Sequence, residues 1–496
     1  MGGTLRFHLR FSFYTFFNYW LTSFHPLAIY IVTIIKGGEM VFLFLALKAS
    51  SVFFKKRSFW IEGAIWVSYA YLSENWFAGY PYGTVCYALY RYLPLLQIAE
   101  YTGIWAIIFM MIVPQAFIAS CLSERESQVN AVFKNYGFDI ILYAVLFVLW
   151  VITGTVSLKY WEKAEPDKTW RVAAIQHNHD SWKGGLQTYK INFNNLRRLS
   201  LEALKEDPQM ILWSETAFVP SVEWHTNYRY EGSDFIIGNA ETVKLVDEFV
   251  RFGEELPVPL ITGNPEGVLK DPNEGPVDAE GKLNRTDYNS VIYFSNGKIA
   301  QTYRKQHLVP FTEHFPYEKQ LPLLYKILLA NDYNWWEKGT ESVVFTSPEG
   351  VTFSTPICFE DVFGYLPAGF VRSGANVIVN MTNDRWSGAE SAELQHCAIA
   401  TLRSIETRKS TIRGTNSGIT CLIPPTGKIV DPMEPFKMAY HIYDVPVYET
   451  ATYGETFYVR HTDLFAFLAI YASVAFLVLG LAITLLGRFR GKKKND

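Results

Sequence analysis

Residues 342–361 read SVVFTSPEGVTFSTPICFED. Apolar and β-branched residues flank a turn signal at Pro348-Glu349-Gly350, so 342–357 reads as a β-hairpin. Its second arm delivers Cys358, followed by Phe359, Glu360 and Asp361. A thiol just past a strand end stands where α/β folds carry chemistry, in the loops that follow strands. Two more stretches repeat that placement. Trp213-Ser214-Glu215-Thr216-Ala217 ends an apolar run at 209–213, and Lys305 sits just past a hairpin at 290–303, whose Asn296-Gly297 is a strong two-residue turn signal.

The intervening sequence is equally mixed. Residues 171–175 and 259–262 read as strands, 186–205 and 243–255 as helices, and 375–381 as a buried strand running into Asn383-Asp384. A helix over 392–408 and the last core strands within 411–423 complete an α/β domain.

Acyl transfer through a cysteine needs a thiolate, a base for its proton, and a positive or donor group for the developing oxyanion. Cys358 can be the nucleophile, Glu215 the general base, and Lys305 the charge that favours the thiolate and holds the oxyanion. Singly, each has a plainer reading. A cysteine is usually a small core residue, a strand-end glutamate can cap a helix, and a lysine is usually at the surface. The shared strand-end context sets these three apart. Cys397 and Cys421 lack it and read as core; His307, His314 and His396 read as structural or exposed. Asn383 and Asp384 read as holding a loop beside the site.

The average composition of the 496 residues hides two different proteins. Residues 11–160 are largely apolar and aromatic, whereas 161–460 read as an ordinary soluble domain. Residues 464–486 carry no charge and precede the basic tail Arg488, Arg490, Lys492, Lys493 and Lys494. About 20 apolar residues cross a hydrocarbon core of roughly 30 Å. Spans are expected at 13–35, 40–54, 59–71, 103–121, 138–157 and 464–486. The expected organisation is a helical membrane domain at 1–160 with about five spans, a catalytic domain at 161–460, and a C-terminal transmembrane helix with basic tail at 461–496. The first span is too long and aromatic for a signal peptide and lacks a small-residue cleavage site. With five spans, Arg6 and Arg10, Lys55 to Arg57, Arg125 and Lys134, and the tail all fall on one side. The positive-inside rule then puts the 161–460 domain outside the cytoplasm. Three of the five cysteines fall in that domain, so at least one thiol there is unpaired. A net charge of −3 with no basic patch speaks against nucleic acid. No zinc-ligand spacing or phosphate-binding glycine loop is present, so neither a metal nor an organic cofactor is expected.

The order Glu, Lys, Cys in these contexts looks like the nitrilase superfamily of carbon–nitrogen hydrolases. The local segments resemble one family within it, the apolipoprotein N-acyltransferases. They are Tyr303-Arg304-Lys305-x-His307-Leu308-Val309-Pro310-Phe311-x-Glu313, Ile357-Cys358-Phe359-Glu360, Thr382-Asn383-Asp384-x-Trp386, Arg413-x-Thr415-Asn416-Ser417-Gly418, and PLLQIAEYTGIW at 94–105. The resemblance covers nearly the whole chain. It implies a four-layer α-β-β-α nitrilase-like sandwich inserted in a multi-span helical membrane domain, in a bacterial inner membrane, with the catalytic domain on the periplasmic side. It implies transfer of an acyl chain from a phospholipid donor to the amino group of a diacylglyceryl-modified apolipoprotein. It gives Glu215, Lys305 and Cys358 as the triad, Glu313 as support for the lysine, and Glu360 as the acidic residue after the nucleophile. Trp182 matches a tryptophan of an active-site loop, although an isolated tryptophan reads equally well as packing.

Two departures stand out. Phe359 replaces the usual tyrosine, and the N-terminal part has two spans fewer than is usual. A membrane-tethered amidase that uses water as acceptor is the alternative the triad alone leaves open. A lipid-binding scaffold that kept the fold is a third reading, disfavoured by the intact Glu, Lys and Cys. The stretch LPLLYKILLANDYNWW at 321–336 reads as a core helix or, in an extracytoplasmic domain, as an arm at the bilayer interface. In the second case Leu323, Leu324, Ile327, Leu328 and Trp335 form its apolar lip.

Overall fold

The computed structural model describes residues 14–24, 28–76, 79–123, 129–228, 240–277, 283–329 and 335–492. Arg6, Arg10, Arg125, Lys493 and Lys494, and parts of 13–35 and 321–336, lie outside the described residues. The chain forms two compact units: Met1–Ala164 with Thr456–Asp496, and Glu165–Glu455.

In the first unit, α1 (Ala28–Phe54) and α2 (Ser58–Asn75) flank a three-residue turn, Lys55–Arg57. They fold back on one another, since Lys36 Nζ reaches the carbonyl and hydroxyl of Ser73 at 2.9 and 2.6 Å. The expected break between spans at 13–35 and 40–54 is absent. Helix α1 runs unbroken through Lys36-Gly37-Gly38-Glu39 because the charges that suggest a loop are satisfied in place. Lys36 pairs with Glu39 one turn on (3.1 Å), and Ser73 Oγ donates to Glu39 Oε2 (2.8 Å). Among the described residues, four helices of eighteen or more residues therefore precede the second unit, where about five spans are expected: α1, α2, α3 (Trp105–Ser123) and α4 (Val129–Lys163). Ala28–Asn75 (the α1–α2 pair), Trp105–Leu122, Val132–Lys163 and Leu464–Gly487 are long and apolar enough to cross a membrane. Gly63 lets α3 close on α2, for a methyl group there would come within 2.8 Å of Val113 and 2.9 Å of Phe109. Ser68 of α2 meets Ser473 of the C-terminal helix at 3.1 Å.

The second unit holds thirteen strands among the described residues: β1 (Lys168–Gln176), β2 (Met210–Leu212), β3 (Leu260–Gly263), β4 (Glu266–Leu269), β5 (Arg285–Tyr288), β6 (Ser290–Ser295), β7 (Lys298–Arg304), β8 (Phe345–Thr346), β9 (Thr352–Ser354), β10 (Val377–Thr382), β11 (Ser410–Thr415), β12 (Cys421–Ile423) and β13 (Ala439–Val447). One sheet has the order β13-β1-β2-β3-β6-β7, with β1, β2 and β3 parallel and the rest antiparallel to their neighbours. The other has the order β12-β11-β10-β9-β8, with β9, β10 and β11 parallel. The sheets pack face to face. Trp170 of β1 lies 5.0 Å from Phe353 of β9 between ring centroids, and Tyr293 of β6 lies 5.8 Å from Phe345 of β8. Gly414 of β11 leaves room for Leu212 of β2, which would lie 2.8 Å from a methyl group at that position.

Helices α5 (Gly185–Ala203) and α6 (Ala240–Glu255) cover the outer face of the first sheet. Phe193, Leu196, Leu199, Leu245, Phe249 and Phe252 recur at helical spacing and bury against Ala173, Ile175, Ile211 and Trp213. After α7 (Pro322–Leu329), α8 (Tyr365–Arg372) and α9 (Glu390–Thr407) follow; Cys397 and Ala400 of α9 pack on Cys421 and Ile423 of β12. The layers are helix, sheet, sheet, helix, as expected.

The last core strand is not within 411–423 but β13, whose nine residues all pair with β1. Asp444 and Pro446 disguise it, yet at a sheet edge both are tolerated. Asp444 pairs with Arg171 at 2.8 Å, and Pro446 lies opposite Thr169. Chain entry and exit of this unit meet. The Tyr453 hydroxyl donates to the Glu165 carbonyl, and Asp167 accepts from Glu449 N and Thr452 Oγ1 at 2.8 and 2.7 Å.

Phe249 is fully buried and stacks on Phe218 at 4.4 Å. Phe249→Ala should destabilise this unit by roughly 3–5 kcal/mol. Thermal denaturation of the detergent-solubilised protein checks it, and an unchanged midpoint would show that the aromatic cluster is not the core.

Candidate active site

Three strand ends deliver the candidate groups. Glu215 follows β2, and its loop is clamped by Asn264 just past β3. Asn264 Nδ2 donates to the carbonyls of Phe218 and Pro220 at 2.7 and 2.8 Å, and its Oδ1 accepts from Val222 N at 3.0 Å. Gly263 must lack a side chain, since a methyl group there would lie 2.6 Å from Glu215 Cα. Lys305 follows β7. Its amide continues the ladder to the Asn289 carbonyl at 2.8 Å, so Asn289 lies opposite it. Cys358 follows an extension of β9 that bridges Ile357 to Met381 of β10. It takes a left-handed φ of 49° and opens one tight turn, Cys358–Val362. Such a conformation is unfavourable for a side-chain-bearing residue and is held by its surroundings.

Lys305 is fully buried, and Glu215 and Glu313 converge on it. Its Nζ lies 2.9 Å from Glu313 Oε1 and 3.5 Å from Glu215 Oε1. Asn289 Nδ2 bridges the same two oxygens, at 3.0 Å to Glu313 and 2.8 Å to Glu215. The remaining oxygens accept backbone N–H groups: Glu215 Oε2 from Asn383 at 2.9 Å, and Glu313 Oε2 from Val309 at 2.8 Å. A buried ammonium is tolerable only when so paired.

Burial pushes the Glu215 carboxyl above the ordinary carboxylate range; Lys305 opposes this and Glu313 adds to it. A raised carboxylate is a better base at neutral pH. For Lys305, burial works against the charge, but Glu313, Glu215 and Cys358 outweigh it and hold the ammonium above an ordinary lysine. Burial and then Glu215 push the Cys358 thiol well up, with Lys305 opposing. The resting thiol therefore keeps its proton until a base takes it.

Glu360 stitches the lysine loop to the cysteine turn. Its Oε1 accepts from Gln306 N (2.7 Å) and His307 N (2.9 Å), and its Oε2 from Ile357 N (2.7 Å). Tyr303 donates its hydroxyl to the same carboxylate at 2.9 Å. Burial pushes this carboxyl up to about 7, against the pull of those N–H groups and Lys305. Phe359 packs edge-on against Phe363 at 5.0 Å, a contact that needs no hydroxyl.

Trp182 stands apart from this network. It is half exposed, meets Trp336 at 5.8 Å, and helps to line a cavity of about 490 Å³ with Tyr189, Val219, Arg285 and Trp335. The cavity adjoins the charged cluster through Trp336 N, which donates to the Glu313 carbonyl at 2.9 Å. His307 accepts or donates at Tyr365 (2.7 Å) and stacks on Phe363, a packing role. Among the described residues no group of His, Cys, Asp and Glu has the arrangement of a metal site.

Asn289 is the residue that sequence reasoning misses. Counted from the Asn296-Gly297 turn in a regular hairpin, it falls opposite Arg304. An irregularity between Tyr293 and Phe294 shifts the register by one residue and puts Ser290 opposite Arg304. Asn289 therefore faces Lys305.

Comparison with known proteins adds two matching family models. Residues 171–454 match carbon-nitrogen hydrolase, and residues 3–117 match the apolipoprotein N-acyltransferase N-terminal domain. The chain is 34% identical to apolipoprotein N-acyltransferase 1 of Treponema denticola over 96% of its own length and 86% of the relative's. It is 34% identical to apolipoprotein N-acyltransferase 1 of Treponema pallidum, over 88% and 79%. Among solved structures, an amidase of the nitrilase superfamily from Nesterenkonia is 15% identical and covers 60% of this chain and 96% of its own, with a TM-score of 0.39.

Cys358 is partly accessible, whereas Cys397 and Cys421 are fully buried. A small water-soluble thiol reagent should modify Cys358 at least about tenfold faster than the other two in the folded protein. Peptide mapping by mass spectrometry reads the order, and prior labelling of Cys397 would contradict this packing.

Proposed function

We propose that this chain, which belongs to the apolipoprotein N-acyltransferase family, moves a fatty acyl group from a phospholipid, through a thioester on Cys358, to the α-amino group of a diacylglyceryl-modified lipoprotein. What carries the reading is the buried Glu215–Lys305–Glu313–Asn289 cluster, whose charges act on the Cys358 thiol.

In the first half-reaction Glu215 takes the thiol proton and the sulfur attacks the ester carbonyl. Lys305, oriented by Glu313, faces the oxyanion. The C–O bond breaks, and the lysophospholipid leaves with the proton that Glu215 held. In the second half the amine attacks the thioester carbonyl and Glu215 accepts its proton. The C–S bond breaks, and the same proton returns to the sulfur. Glu360 keeps the lysine loop and the cysteine turn in register, and Trp182 forms part of the wall where substrate groups lie. No step calls on a metal or organic cofactor. A water-using amidase is less favoured, because the apolar helices and the exposed side chains of α7 suit a lipid donor.

The sidedness follows from charge. Lys55, Lys56 and Arg57 form the α1–α2 turn, and three long helices separate them from Glu165. The positive-inside rule then supports a Glu165–Glu455 unit outside the cytoplasm without reliance on the first expected span, in keeping with the proposed location in a bacterial inner membrane.

Incubation with phospholipid should leave an acyl group on Cys358, visible by mass spectrometry. Cys358→Ser should fold, lack the adduct and lose activity by at least about a thousandfold. Retained activity in that variant would remove Cys358 from the mechanism.

In α7, Leu323, Leu324 and Ile327 are exposed and Leu328 is half-buried; Trp335, past the helix, is half-buried as well. Leu323→Ser with Ile327→Ser should slow acylation by bilayer phospholipid about tenfold or more, since apolar contact with lipid scales with buried CH₂ groups. Alkylation of Cys358 by a small reagent should stay unchanged. Loss of both would mean that α7 is core structure.

A further inference from the structure

A second cluster of buried charge lies behind the cysteine turn, and the mechanism above does not use it. Asp361 belongs to that turn, three residues past Cys358. Asp384 follows Asn383, whose N–H group holds Glu215 Oε2. His396, on α9, touches both: Nε2 lies 2.8 Å from Asp361 Oδ1, and Nδ1 lies 3.1 Å from Asp384 Oδ1. All three side chains are at least nine-tenths buried. We propose that His396 is a positioning residue for acylation, which by bridging Asp361 and Asp384 fixes the turn carrying Cys358 against the loop that holds Glu215. This inference rests on the catalytic reading of Cys358 and Glu215.

The geometry sets the charge of the bridge. A neutral imidazole has one donor and one acceptor nitrogen, so between two carboxylate oxygens one contact would be repulsive. Donation at both nitrogens requires the imidazolium. Other groups face the same cluster. Arg413 of β11 lies 3.3 Å from Asp384 and 3.6 Å from Asp361. Glu393, one turn before His396 on α9, accepts from Ser387 Oγ at 2.7 Å and bonds to Asp384, and burial followed by the Asp384 charge pushes its carboxyl up to about 10. Two anions, Asp361 and Asp384, then balance two cations, His396 and Arg413, with Glu393 neutral. The thiols of Cys397 on α9 and Cys421 on β12 also lie beside this cluster. Burial opposes the His396 charge, but Asp361, with help from Asp384, raises its pKa to about 9. The stabilising bridge is thus fully present below the ordinary histidine range near 6.5 and is lost as pH rises through about 9.

A buried ionic cluster contributes little net stability compared with apolar packing, so a positional role is its better-attested use. Losing the bridge has two effects on Cys358. The turn is freed relative to Glu215, and the negative charge of Asp384, which already raises the thiol pKa, is left less compensated.

The test uses the full-length protein in detergent–phospholipid micelles, with wild type, Cys358→Ser and His396→Gln. For His396→Gln, kcat should fall roughly ten- to a hundredfold, as for a misplacement of about 1 Å, with KM for phospholipid unchanged. The pH profile of Cys358 alkylation should move to higher pH, which loss of fold alone would not produce. Wild-type kcat and an unmoved thiol profile in His396→Gln would overturn the proposal. An active Cys358→Ser would instead overturn the catalytic reading, so the two failures are distinguishable. If His396→Gln does not accumulate as folded protein, Asp361→Asn carries the test at the same contact. A fall in kcat at constant KM supports the bridge, and wild-type kcat overturns it.

Discussion

A fully buried ammonium group is the constraint around which the Glu165–Glu455 unit is organised. Lys305 is fully removed from bulk solvent, and an isolated charge in such a place is prohibitive. Glu313 and Glu215 supply the compensation, and together they carry one negative charge more than the lysine needs. Asn289 and two backbone N–H groups spread that excess. The arrangement leaves the Glu215 carboxyl above the ordinary carboxylate range, pushed up by burial and by Glu313 against the pull of Lys305. Four of the segments described at the site are tied to this requirement. Asn383 comes from β10, Asn289 from the start of β6, Val309 and Glu313 from the lysine loop, and Glu360 fastens that loop to the cysteine turn.

How much of this is legible in the sequence depends on range. Strand ends with turn residues are local signals, so Glu215, Lys305 and Cys358 stand out, and the structure places Glu215 and Lys305 in one cluster whose charges reach the Cys358 thiol. The Asn289 pairing depends on a single irregularity at Tyr293–Phe294, and a one-residue slip sends side chains to the opposite sheet face. No local pattern announces it. Strand β13 is hidden for another reason. Asp444 and Pro446 argue against a central strand, and only the sheet order shows that the position is an edge. In the membrane unit, Lys36 and Glu39 suggest a loop because their partner Ser73 is distant in sequence. His396 reads in sequence only as structural or exposed, like His307 and His314, since its two carboxylates come from separate loops.

Lysine and arginine at adjacent positions show how finely the register matters. Arg304 points to the other face, where Glu266 binds it at 2.7 and 2.8 Å and the Tyr288 ring lies 4.3 Å away. Its guanidinium is a planar fork suited to such a bidentate pair, whereas Lys305 offers a compact charge that can face a small oxyanion. The same hairpin thus carries two cations with different partners, one on Glu266 and the next buried between Glu215 and Glu313.

The closeness of Glu165 and Glu455 has a thermodynamic consequence. The strands that begin and end this unit, β1 and β13, are antiparallel neighbours, and the chain on both sides continues into helices of a single other unit. When Glu165–Glu455 unfolds while those helices remain folded, the released chain is a closed loop rather than a free coil. Its conformational entropy is lower, much as if a covalent cross-link joined its ends. For loops of this length the effect is on the order of 5 kcal/mol in the chain-entropy model. The membrane helices then act as a staple for a domain in which the Cys397 and Cys421 sulfurs, 3.9 Å apart, are both free thiols.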